Sequence, residues 1–142
     1  MDEQLLKLPE YDELVDLYSG YADSKAGISP IEIEHLSWLA YHVPAGGDIV
    51  EIGSHRGKSI CAMGCACRLA GNNARLFAVD LWTKGKGTFE HYHSEETWIL
   101  FQAQVEKMGL RESIRPVVSS SANAAKYRRK PIHLLFIDNS RI

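Results

Sequence analysis

Ile49-Val50-Glu51-Ile52-Gly53-Ser54-His55-Arg56-Gly57-Lys58-Ser59 decides how the rest of the chain is read. A short apolar run carries one acid, two glycines bracket a tight turn, and an amphipathic segment follows. That is the pattern of a buried strand, a loop whose backbone approaches a ligand, and a helix N-terminus.

Strands and helices alternate on either side of it. Upstream, Ser29-Pro30-Ile31-Glu32 predicts a helix start: serine caps, proline suits the first helical position, and glutamate reaches back to the cap N–H. This helix carries Ile33, Leu36, Trp38, Leu39 and Ala40 and stops at Pro44 and Gly46-Gly47. Residues 48–53 read as the first strand and 57–69 as a helix closed by Gly71-Asn72. A second strand spans 75–80, and Ser94 caps a helix that runs to Gly109. A third strand spans 114–118, a polar helix 122–129, and a fourth strand 132–138. Runs this apolar suit parallel strands covered on both faces, so the fold class is α/β.

In such sheets ligands bind beyond the carboxyl ends of the strands. Glu51, Asp80 and Asp138 all fall at or near those ends. Three ligands compete for the loop. Its Gly-Lys-Ser ending resembles a triphosphate-binding loop, but that loop needs four residues between its glycines. Here there are three, and Glu51 would repel a phosphate. A dinucleotide loop needs a central glycine, and Ser54-His55-Arg56 supplies none. S-adenosylmethionine has no phosphate; it carries a sulfonium, an ammonium and a ribose diol. Glu51 suits its cationic amino-acid end, and an acid such as Asp80 accepts hydrogen bonds from ribose hydroxyls.

The segment 50–59 resembles the first motif of class I S-adenosylmethionine-dependent methyltransferases, in the subgroup written Val-Glu-Ile-Gly-x-x-x-Gly-x-Ser. Phe77-Ala78-Val79-Asp80 resembles the second motif, and 131–138 the fourth-strand motif. The resemblance spans residues from about 27 to 138. It implies a Rossmann-like three-layer sandwich of about four parallel strands in the order 3-2-1-4, behind N-terminal helices. Residues 1–28 are then an N-terminal helical segment and connector, and 29–142 an incomplete S-adenosylmethionine-binding domain. The family sheet has seven strands, so later strands are expected to be missing and the chain to be C-terminally truncated.

Site roles follow from the same resemblance. Glu51, Gly53, Ser54, Gly57 and Ser59 would line the methionine portion. Asp80 would bind ribose, with Leu81 or Trp82 against the adenine and Ser119, Ser120 and Ser121 near the adenine edge. Asp138 would face the methyl-transfer centre. His91 and His93 are further catalytic candidates, although their polar segment also reads as a plain loop leading to a capped helix. His55 would shape the loop. A divalent metal is not predicted, because one carboxylate cannot hold magnesium alone. The expected function is methyl transfer to oxygen or nitrogen of a small molecule. The alternative is a catalytically inactive S-adenosylmethionine-binding or self-assembling module.

Bulk properties bound the partners. A chain of 142 residues makes one domain, and a net charge of -2 gives no electrostatic case for nucleic acid. The basic run 126–130 reads as a solvated helix end. Cys61, Cys65 and Cys67 are odd in number and leave no complete disulfide framework; Cys61 and Cys65, one turn apart, should share a packed face. The N-terminus lacks signal-peptide features, and no apolar stretch reaches membrane-spanning length, so a cytoplasmic protein with no membrane partner is expected. The apolar fourth strand would be an open edge, which predicts a homo-oligomer formed through it.

Overall fold

The computed structural model describes residues 29–82 and 95–138. Helix α1 (Pro30–Tyr41) begins with the expected capping box: Ser29 Oγ accepts the Glu32 N–H, and the Glu32 carboxylate accepts the Ser29 N–H. There follow β1 (Asp48–Ile52), α2 (Lys58–Ala70), β2 (Arg75–Asp80), α3 (Glu95–Lys107), β3 (Ile114–Val118), α4 (Ser121–Tyr127) and β4 (Leu134–Ile137). The four strands are parallel and ordered β3-β2-β1-β4, as the sequence implied. The segment 1–28, the Ser94 cap and residues 139–142 lie outside the described residues.

Side chains alternate across the sheet with a period of two. Ile49, Leu76, Ala78 and Ile114 face the core shared with α1, α2 and α3. Helix α2 is buried without a break from Ser59 to Cys67, because it lies within that core. Its small residues let its neighbours close in; a Cβ on Gly64 would stand 3.0 Å from Leu110 Cδ1. The three cysteines are in the thiol form and buried on this helix, as expected for packing. Burial pushes the Cys67 thiol up to about 11 and the Cys61 thiol higher still. Val50, Ile52, Phe77 and Val79 face the other way, into a groove of about 750 Å³ beside α4. Helix α4 buries none of its own residues.

The far end of the sheet from the glycine loop corrects two expectations. Helix α4 ends at Tyr127, not Arg129, because Arg128 turns to extended backbone (φ -71, ψ 129). Its guanidinium thereby reaches the buried Asp48 and lies over the Phe77 ring at 5.1 Å. Arg128 is an anchor rather than part of a solvated helix end. Strand β4 begins at Leu134, not Ile132. His133 instead bridges to β1: its N–H donates to Asp48 O (2.9 Å), and its Nδ1 accepts the Asp48 N–H (3.1 Å).

Candidate cofactor site

The carboxyl ends of β1, β2 and β4 meet at one rim. Gly53 leaves β1 with φ +86, and its N–H donates to Val79 O at 2.8 Å. A Cβ there would stand 3.0 Å from Asp138 O, so both the conformation and the space call for glycine. The turn closes with the Gly57 N–H on Ser54 O (2.8 Å), and Gly57 (φ +84) starts α2. The Asp138 N–H donates to Ile52 O and the Ser119 N–H to Asp80 O, both at 3.0 Å. Those bonds carry the parallel ladder past the strand ends and bring Asp138 and Ser119 to the rim.

Glu51 sits beneath the loop with no exposed surface. Ser59 Oγ donates to its Oε2, while among the described residues no donor meets its Oε1 at full hydrogen-bond geometry. Burial pushes this carboxyl up to about 7; the Ser59 and Ser54 hydroxyls oppose the rise, and the charges of Asp138 and Asp80 add to it. A buried carboxylate facing two more acids is costly without a cation. Among the described residues, no group of three His, Cys, Asp or Glu is placed to hold a metal ion. A cationic group that donates a hydrogen bond to a carboxylate oxygen offsets that cost.

Asp80 is 4% exposed, and its two oxygens have separate partners: Oδ2 accepts the His55 N–H (2.8 Å) and Oδ1 the Trp82 N–H (3.0 Å). The carboxylate is thereby fixed at the rim by two backbone donors.

Trp82 follows Asp80 into an aromatic cluster. Its ring is fully buried and packs against Phe101 and Trp98, with centroids 4.6 and 4.9 Å away. Its neighbour Leu81 is half-buried. The serine row divides. Ser120 Oγ caps α4 by accepting the Asn123 N–H (3.2 Å), whereas Ser119 and Ser121 line the groove beside α4. The structure thus brings Glu51, Gly53, Ser54, Gly57, Ser59, Asp80 and Asp138 around one loop. His91 and His93 lie outside the described residues. Sequence reasoning missed the aromatic support under the loop: a Cβ on Gly57 would stand 2.9 Å from Phe101 Cδ2. The only local cue was the spacing of Trp98 and Phe101, one helical turn apart.

An acid-lined loop at the switch from β1 to α2 of a parallel sheet defines a cofactor-binding α/β domain. The family described as a methyltransferase domain matches residues 50–141, and the chain belongs to that family. No curated protein matches the chain. Among solved structures it is similar to the SAH-bound methyltransferase PaMTH1 of Podospora anserina. The two are 16% identical over 97% of this chain and 50% of the other, with a TM-score of 0.66. It is also similar to an O-methyltransferase of Bacillus cereus in complex with SAH (17% identity, 97% of this chain, 55% of the other, TM-score 0.61). A third is an rRNA methylase of Streptococcus thermophilus (15% identity, 75% of this chain, 52% of the other, TM-score 0.50). The chain spans about half the length of these proteins.

Proposed function

We propose that the chain binds S-adenosylmethionine and supports methyl transfer to an oxygen or nitrogen of a small molecule. The observation that carries this is the fully buried Glu51 carboxylate at the strand ends, with Asp80 and Asp138 nearby. A ligand with an ammonium group relieves that cluster; a phosphate ligand worsens it. The similarity to SAH-bound structures supports the same ligand. Those neighbours differ in acceptor, and one is named an rRNA methylase. The net charge of -2 favours a small acceptor over a nucleic acid here.

In this reading Glu51 holds the cationic amino-acid end, and Gly53, Ser54, Gly57 and Ser59 line the methionine portion. Asp80, at the end of β2, accepts hydrogen bonds from the ribose hydroxyls. Leu81 packs on adenine, with Ser119 and Ser121 at its edge. The bound cofactor supplies an electrophilic methyl, whose bonding electron pair stays on sulfur. Asp138 faces the acceptor, and His91 or His93 takes the acceptor's proton. The chain itself orients the reactants and excludes water. Residues 29–142 form the cofactor domain, and 1–28 a separate N-terminal segment. The three buried thiols, none in a disulfide among the described residues, support a cytoplasmic location.

Self-association through β4 belongs to the same proposal. Edge strand β3 is guarded by Arg115 and Pro116, whereas β4 is Leu-Leu-Phe-Ile, with Leu135 49% and Ile137 47% exposed. Light scattering at micromolar concentration should show a dimer or larger; a clean monomer contradicts it. The functional reading is tested by incubating the chain with S-adenosylmethionine and candidate hydroxyl and amine acceptors. Mass spectrometry should find a methylated product. Binding with no product from any acceptor would favour the inactive module.

A further inference from the structure

We propose that Trp82 is a positioning residue for the cofactor loop: its indole N–H and the Asp80 carboxylate together hold His55 in the conformation that shapes the loop. The inference rests on reading residues 53–57 as that loop. Three residues there have positive φ: Gly53 at +86, His55 at +50 and Gly57 at +84. The glycines adopt it freely, but a histidine is strained there. His55 is held from both sides. Its N–H donates to Asp80 Oδ2, and its carbonyl accepts the Trp82 Nε1–H, each at 2.8 Å. The Trp82 N–H closes the ring of contacts on Asp80 Oδ1. Trp82 itself has φ +40, which turns its indole back beneath the loop. The fully buried ring has no room to move, because Phe101 and Trp98 of α3 pack on it. Phe101 also backs Gly57, so one aromatic cluster supports the middle and the end of the loop.

Two readouts test this: amide hydrogen exchange at His55, which needs no ligand, and SAH affinity by calorimetry. Trp82→Phe keeps a ring and removes the donor. It should speed exchange at His55 and weaken SAH binding, each by about tenfold, the effect of one lost hydrogen bond to a part-buried carbonyl. His55→Gly removes the strain at position 55. In the double variant, affinity should return to within about threefold of His55→Gly alone. Unchanged exchange and affinity in folded Trp82→Phe would overturn the proposal. So would an equal loss in both backgrounds, since Trp82 would then not act through His55. If Trp82→Phe does not fold, the double variant must fold and bind; its failure also overturns the proposal. A wild-type chain that ignores SAH would sink the functional reading alone, and exchange would still judge Trp82.

Discussion

Replacing Glu51 with glutamine separates what this acid does for the fold from what it does for the ligand. In the folded chain its carboxyl is raised from 4.5 to about 7 by burial, against the Ser59 and Ser54 hydroxyls and with help from Asp138 and Asp80. The folded state therefore keeps a proton that the unfolded state gives up. The stability this proton contributes is whole below pH 4.5 and is lost as pH rises through about 7. At 1.36 kcal/mol per unit, the loss is on the order of 3 kcal/mol. A glutamine at this position has no charge to bury and should not show it. Its unpaired amide carries a penalty, but one that does not change with pH. Melting temperatures at pH 5 and pH 8 isolate the difference. Glu51→Gln should gain roughly 10 °C on wild type between the two. The same variant should bind S-adenosylmethionine at least tenfold more weakly at pH 8. Wild-type affinity should itself fall about tenfold from pH 8 to pH 6, as Glu51 takes up its proton. Parallel pH dependence of wild type and variant would refute the buried, cation-seeking carboxylate.

Three other substitutions probe different parts of the structure. Asp80→Asn should weaken SAH binding about tenfold, through loss of an acceptor for ribose and a looser His55; an unchanged dissociation constant would remove Asp80 from the site. Gly57→Ala forces a side chain onto φ +84 and against Phe101, and should destabilise by about 2 kcal/mol or more in urea titration. Burial alone would raise the Asp48 carboxyl, but hydrogen bonds from Arg128 and Arg75 outweigh it and hold it below its usual value of 3.8. The resulting stability is present above that value and lost as pH falls below it. Asp48→Asn should cost roughly 1–2 kcal/mol at neutral pH, given the half-exposed Arg75, and flatten the acid limb of the stability curve.

Local sequence carried the frame well. The Ser29–Glu32 capping box, the β1–loop–α2 unit and the acid at the end of β2 are each set by neighbours in sequence, and each appears where expected. What could not be read locally depends on partners far along the chain. In Asp80-Leu81-Trp82 nothing says which apolar residue turns inward; the α3 rings decide it by enclosing Trp82. Residues 126–130 carry a basic signal, and only the buried Asp48, 80 positions before Arg128, pulls Arg128 out of the helix. The glycines of the loop were legible as turn residues, but the strain at His55 between them was not. A histidine codon carries no sign of a positive φ; the Asp80 and Trp82 contacts impose it.

Whether the Glu51 loop takes a sulfonium cofactor is decided by titration calorimetry at pH 8 with S-adenosylmethionine, SAH and ATP in parallel. S-adenosylmethionine and SAH should each bind at one site per chain, and ATP should give no heat, because Glu51, Asp80 and Asp138 repel its phosphates. Binding of ATP, with neither S-adenosylmethionine nor SAH binding at millimolar concentration, would contradict the assignment.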